Sequence, residues 1–183
     1  IDMIIRAWSE QKDIREVMVF LQDHGVSSTY ATKIYKVYGK DAIQIVQENP
    51  YRLAYDIYGI GFITADTIAQ KLGFGLESPL RAEAGVLYVL HSLTDEGHVF
   101  YEVDPLLEKS STLLKIENAE LLQNALTRLF SEERIFITTL LLEERECTVC
   151  YLQSFYRSEV ALARRFARLM KNPSVLRHVN QEK

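Results

Sequence analysis

Cysteine is scarce. The 183 residues hold two, Cys147 and Cys150. A disulfide scaffold needs a denser framework, and a lone C-x-x-C lacks the second pair that a zinc site requires. The pair lies in the alternating stretch Glu146-Cys-Thr-Val-Cys-Tyr151. That stretch reads as a strand, so sulfurs three residues apart face opposite sides. Two free thiols fit a reducing compartment, and the expected location is cytoplasmic. Long apolar runs are also missing. None approaches the roughly 20 residues that span a bilayer, so no membrane partner is expected. The start, Ile1-Asp2-Met3, has no secretory leader pattern and no initiator methionine, which points to a piece of a longer chain. An excess of positive charge is lacking as well: 21 Lys and Arg stand against 25 Asp and Glu, a net of −4. This counts against a surface that is cationic throughout, but not against a local phosphate site, which depends on the local field. Composition excludes disorder and collagen-like repeats. The sequence contains no G-x-x-x-x-G-K-[ST], no H-E-x-x-H and no G-x-S-x-G, and its four histidines are scattered without ligand spacing. No catalytic residue, metal site or cofactor is expected in this chain.

The modest total hides an uneven distribution. Residues 1–13 and 14–80 each carry a net of −1, residues 81–150 carry −7, and residues 151–183 carry +5. Local pattern divides the chain in the same places. Asp13 with Glu16 forms a capping-box pattern ahead of a helix whose apolar stripe is Ile14, Val17, Met18 and Leu21. His24-Gly25-Val26-Ser27-Ser28 breaks it, and Ser28 is the expected cap of a second helix with Ala31, Ile34, Tyr35 and Tyr38 inward. Gly39 ends that helix. Short helices are expected over 41–49 and 50–56. Then Tyr58-Gly59-Ile60-Gly61 leads into a helix carrying Phe62, Ala65, Ala69 and Leu72, stopped by Gly73. The first 75 residues thus repeat one unit, helix, tight glycine turn, helix, about a short connecting helix.

After a loop at 75–79 the grammar changes. A mostly apolar helix is expected over 80–94, a strand over 97–101 and a short helix over 104–109. Asn118 caps a helix with Leu122, Ala125, Leu126 and Leu129 inward. Strands follow over 135–139 and 147–151, joined by the acidic tip Glu143-Glu144-Arg145-Glu146. Helix, strand, helix, helix, strand, strand is the order of a winged-helix domain, with the last hairpin as the wing. A long helix over 154–171 should bury Ala163, Phe166, Ala167 and Met170, end at Asn172-Pro173, and give way to a linker-like tail. The expected fold is therefore mainly α: a tandem helix-hairpin-helix domain over 1–78, a small winged-helix-like α+β domain with a β-hairpin over 79–153, and a helix and linker over 154–183.

The two turns carry the chemistry. Gly59-Ile60-Gly61 fits the hairpin of a helix-hairpin-helix motif. Its glycines permit positive φ and close approach of another backbone, and it opens onto a helix N-terminus, where free N–H groups and the helix dipole favour a phosphate. Such a site holds the DNA backbone without reading bases. Thr64 adds a hydroxyl there, and Lys71 a charge further along. The first turn has Gly25 and Val26, but Ser27 where a second glycine would stand. Ser27 and Ser28 can donate to phosphate, and Lys33, Lys36 and Lys40 lie on or beside the following helix. The candidate DNA-binding residues are thus Gly25, Val26, Ser27, Ser28, Lys33, Gly59, Ile60, Gly61 and Thr64. The alternative is structural: the hairpins dock on another domain or a partner protein, and the lysines only solvate a face. The acidic stretch 81–150, which should repel DNA, suits that reading.

The ordered segments resemble a known family. They include Asp13-Ile14-Arg15-Glu16, Phe20-Leu21, Gly25-Val26-Ser27, Lys33-Ile34-Tyr35, Tyr38-Gly39, Asp41-Ala42-Ile43, Asn49-Pro50-Tyr51-Arg52-Leu53, Gly59-Ile60-Gly61-Phe62, Ala65-Asp66, Ile68-Ala69, Gly97-His98-Val99, Ser154-Phe155-Tyr156 and Glu159. Together they are similar to the region that precedes the motor in the long RecD-like DNA helicases, those acting outside the RecBCD complex. The resemblance implies a non-motor, DNA-binding accessory part of an ATP-dependent helicase moving 5′ to 3′, with roles in DNA repair and recombination. It implies single-stranded or forked DNA and the parent's own motor domains as partners. ATP and magnesium would belong to those motor domains.

Overall fold

The computed structural model describes the backbone of residues 2–171 and the side chains of 11–171. It is mainly helical, with one small antiparallel sheet. Helix α1 (Asp2–Asp23) runs straight through Asp13. The expected capping box at Asp13 and Glu16 is therefore no helix start. Residues 1–23 contain neither glycine nor proline, so nothing stops the helix from extending upstream. Val17 and Leu21 are buried and Met18 is partly buried, while Ile14 is exposed.

Helix α2 (Ser28–Tyr38) ends on Gly39 as expected. A 3₁₀ turn (Gly39–Asp41) leads into α3 (Ala42–Glu48), and α4 (Arg52–Asp56) follows. Helix α5 (Phe62–Lys71) closes the second repeat. Helix α6 (Pro79–Asp95) starts with proline in its first turn, where a missing N–H costs nothing.

The remaining elements keep the expected winged-helix order: β1 (Phe100–Glu102), α7 (Val103–Leu114), α8 (Ala119–Ser131), β2 (Ile135–Leu142), β3 (Arg145–Leu152) and α9 (Gln153–Lys171). The sheet order is β1-β3-β2, all antiparallel, with Phe100 opposite Tyr151 and Ile135 opposite Leu152. Asn118 caps α8 by accepting from the Leu121 amide at 3.1 Å.

Three elements are longer than their sequence pattern suggests. Helix α7 takes in a run of hydroxyl residues because Leu106, Ser110 and Leu114 form one buried face along it, and its hydroxyls are satisfied by earlier carbonyls. Ser110 donates to Leu106 O at 2.7 Å and Thr112 to Glu108 O at 2.9 Å. Strands β2 and β3 continue to a two-residue turn at Glu143 and Glu144, whose φ angles of 48° and 67° match the twist of the flanking strands. Arg145 and Glu146 are therefore strand residues, and only the two glutamates form the tip.

One continuous apolar core extends from Val17 through Tyr51, Phe62 and Leu90 to Leu152. The other face of the sheet holds a small cluster of Cys147, Val149 and Tyr151, packed by Phe136 and Tyr156. Cys150 belongs to the main core and Cys147 to the small cluster, so the two thiols do face opposite sides. Burial pushes the Cys150 thiol up to about 12, which keeps it protonated and inert.

Helix α9 departs from expectation in its packing. Its first turns rest on the sheet, where Tyr156 stacks on Phe136 at 3.6 Å and Arg157 pairs with Glu133 at 2.9 Å. Beyond that the helix has no buried residue. Ala163 and Ala167 are exposed, as are Phe166 and Met170. The amphipathic pattern was real, but no described element covers it. Asn172-Pro173 and the tail lie outside the described residues.

A buried ion pair joins the second repeat to α6. Arg81 grips Asp66 through Nε at 2.8 Å and Nη2 at 3.2 Å. Its Nη1 donates to the carbonyls of Leu76 and Leu114. Tyr51 Oη and Gln70 Nε2 complete the carboxylate shell at 2.8 and 3.0 Å. Burial, and then the bond to Asp66, raise the Tyr51 phenol far above its ordinary range. A buried pair repays its desolvation only when its remaining donors and acceptors are satisfied, as they are here.

Candidate nucleic-acid interface

The two turns have similar backbones, 34 residues apart. Gly25 has φ 72° and Gly59 has φ 89°, the left-handed region that other residues enter only at a cost. The next residue is a buried anchor in both, Val26 at 4% exposure and Ile60 at 3%. The third is extended and caps the following helix: Ser27 (φ −63°, ψ 153°) before α2, Gly61 (φ −93°, ψ 176°) before α5. The first helical bond then runs from Ala31 to Ser27 O at 2.9 Å, and from Ala65 to Gly61 O at 3.1 Å. Ala31 and Ala65 are both fully buried, as are Ile34 and Ile68 at the next turn. The expected internal repeat is thus present in the shape of the turns and in the buried positions that follow them.

Each turn opens a helix N-terminus to solvent. In α5 the amides of Phe62, Ile63 and Thr64 precede the first intrahelical bond, and Gly61 has no side chain to serve them. Space beyond Gly61 is open, since a Cβ there would meet nothing within 4 Å. In α2 the Ser27 hydroxyl accepts from the Tyr30 amide at 3.3 Å, which leaves the amides of Ser28 and Thr29. The cap is therefore Ser27 and not Ser28, one residue earlier than expected. Ser28 is the exposed first residue of the helix.

The structure sorts the candidate residues. Gly25, Ser27 and Ser28 line the first turn, and Gly59, Gly61 and the half-buried Thr64 line the second. Val26 and Ile60 turn their side chains into the core, so only their backbone can meet a ligand. Lys33 changes place. Its ammonium donates to Tyr58 O at 3.2 Å, which puts it on the second turn although it belongs to the first repeat. Lys71 of the second repeat lies over Gly25 of the first, with Nζ occupying the space a Cβ would need. Lys36 and Lys40 are exposed on the first repeat.

Tyr58 was not among the candidates. Its side chain is 97% exposed beside the second turn. The residue 34 positions earlier is His24, so the repeat spacing itself held the signal. His24 is tied down: Nδ1 bonds Phe20 O at 2.7 Å and the ring packs on Phe20 at 4.5 Å.

Two acids of the second repeat are already paired, while Asp23 stands exposed beside the first turn. Asp66 is held by Arg81, and Asp56 bonds Tyr38 at 2.7 Å and Arg52 at 3.4 Å. Among the described residues no cluster of His, Cys, Asp and Glu is placed to hold a metal, and no helix is long and apolar enough to cross a membrane. The arrangement can bind an anion by backbone amides, hydroxyls and ammonium groups.

Comparison with known proteins agrees with this geometry. Residues 10–100 match the family model of the ATP-dependent RecD2 DNA helicase helix-hairpin-helix domain. The ATP-dependent RecD2 DNA helicase of Deinococcus radiodurans is 33% identical over 98 residues, which is 53% of this chain and 14% of that protein. The chain therefore spans about one seventh of that relative's length. Through residues 10–100 this chain belongs to the helix-hairpin-helix domain family of the RecD2-type DNA helicases.

Proposed function

We propose that this chain is the DNA-binding accessory region of a RecD-like 5′ to 3′ helicase and holds the DNA backbone through its two hairpins. The observation that carries this reading is the duplicated turn, with a positive-φ glycine and an open helix N-terminus in each copy, in a chain of this family. Amides at a helix N-terminus favour phosphate without a large positive charge, which reconciles DNA binding with a net of −4. The grip is independent of base sequence. Tyr58 adds an exposed ring on which an unpaired base can stack, which favours single-stranded or forked DNA. Hydrolysis of ATP with magnesium, the motor activity and roles in repair and recombination would belong to the parent helicase. Titrating labelled single-stranded, forked and duplex DNA at two salt concentrations tests the reading. Weak, sequence-independent binding that falls steeply with salt is expected. No binding even at low salt would overturn it.

A second surface supports protein contact. The exposed face of α9 carries Leu162, Phe166, Leu169 and Met170, at 56 to 86% exposure, beside Arg164, Arg165 and Arg168. This face suits docking on the motor domains of the same chain. Phe166→Asp should weaken capture of a separately produced motor half while leaving DNA binding unchanged.

A further inference from the structure

The two lysines at the hairpins come from the opposite repeats. Lys33 stands on α2, yet its Nζ bonds the carbonyl of Tyr58 and lies 3.2 Å from where a Gly59 Cβ would be. Lys71 ends α5, yet its Nζ would lie 1.8 Å from a Gly25 Cβ, with Cε and Cδ at 2.8 and 2.9 Å. Gly25 is needed for its positive φ, and the end of Lys71 occupies the room its missing side chain leaves. The Lys71 stem lies along the first hairpin, and the Lys33 ammonium reaches the second. Neither takes part in the six ion pairs found among the described residues. Lys33 uses one of its three donors on Tyr58, which leaves two for a ligand.

We infer that the hairpins exchange lysines: a phosphate on the first hairpin meets Lys71 of the second repeat, and a phosphate on the second meets Lys33 of the first. Neither repeat alone then makes a complete site, which gives the duplication a function beyond doubling the contacts. Helix α5 runs from one hairpin to the other, and ten residues of helix span about 15 Å. The two hairpins therefore hold different phosphates. This inference rests on the reading that the hairpins bind the DNA backbone.

Double-mutant cycles test it. Ser28→Glu and Ile63→Glu each place a carboxylate at one exposed helix N-terminus, where it repels phosphate and favours the helix. Circular dichroism melts check that every variant is folded. Binding of a labelled oligothymidylate is then measured across salt. Lys71→Ala should weaken binding roughly fivefold and lower the salt slope by about one. Lys71→Arg should restore both. In the Ser28→Glu background Lys71→Ala should cost less than about twofold, while in the Ile63→Glu background it should keep its full effect. Lys33→Ala should show the reverse pattern. Coupling of each lysine to its own repeat's hairpin, or full additivity with both, would overturn the exchange while leaving the hairpins as the DNA site. Unchanged binding in both glutamate variants would overturn the hairpin reading itself and the exchange with it.

Discussion

The first hairpin is partly closed by its own side chains, while the second is the more open of the two. In the first, the Gly25 amide bonds Gln22 O at 2.8 Å and the Val26 amide bonds Leu21 O at 2.9 Å, which closes the end of α1. Ser27 caps α2 with its own hydroxyl, and His24 is pinned to Phe20. In the second, Gly61 gives no side-chain cap, three amides are open and Tyr58 projects into solvent. The second repeat is instead held from behind. Asp66 is clamped by Arg81, while the equivalent position in the first repeat is the exposed Thr32. One backbone shape is thus stabilised locally in one repeat and by tertiary contact in the other. That frees the second turn's polar groups for a ligand.

The sharpest way to break this contrast is at Asp66. Asp66→Ala should destabilise the chain by about 3–5 kcal/mol, because it leaves Arg81 buried and unpaired. Thr32→Ala should stay within about 0.5 kcal/mol, as exposed sites usually do. Urea unfolding of the two variants decides, and equal losses would remove the asymmetry.

Tyr58 and His24 come next. Tyr58→Ala should lower affinity for single-stranded DNA by about tenfold, the effect of losing one stacked base, and Tyr58→Phe should not. His24→Ala should change affinity much less, because that ring is already packed inward. Fluorescence anisotropy on the same oligonucleotide measures both.

The two glycines of the second turn should separate in stability. Gly59→Ala forces a side chain to φ 89° and should cost about 1–2 kcal/mol. Gly61→Ser copies the cap of the first hairpin at an unstrained φ of −93°, and should gain a few tenths of a kcal/mol. It should also weaken DNA binding, since the hydroxyl would take one of the open amides. Thermal melts and the DNA titration read the two effects separately.

The smallest effect is expected at Glu83, which lines a polar cleft with Tyr51, Tyr55 and Arg134 and pairs there with Arg128 at 3.2 Å. Burial raises its carboxyl above the ordinary range, with Arg128 opposing. A raised folded-state value favours the protonated form. Its stabilising contribution is full below the unfolded value of about 4.3 and is lost as pH rises through the folded one. Glu83→Gln imitates the protonated form, so it should melt at or above the parent near neutrality. That gain should vanish as the pH falls below about 4.3. A gain that persists in acid would show that the charge is not its cause.

Much of the fold was legible because local rules agreed with it. The glycine turns, the Asn118 cap, the stripe of α8 and the strand alternation around Cys147 each rest on residues close in the chain. The misplaced helix starts at Asp13 and Ser28 show the limit of cap signals, since a cap is decided by which candidate the upstream chain leaves free. The hydroxyl run in α7 and the Glu143-Glu144 turn escaped because their stability comes from tertiary burial and strand pairing that no propensity records. At the candidate site, Tyr58 could have been found from the 34-residue spacing alone.

What the sequence determined by itself is the repeat: where two chains of helix must break, and why glycine stands at each break. A positive φ and an open helix N-terminus are local properties that neighbouring residues dictate. Which lysine serves which hairpin was decided only by tertiary structure. Lys33 and Tyr58 are 25 residues apart, and Lys71 and Gly25 further still. Only packing the repeats about the buried core brings each ammonium to the other turn. The same holds for α9, whose amphipathic pattern announces a buried face but not the partner that covers it. Periodicity records that an apolar stripe exists, and only the surrounding elements decide whether it is covered.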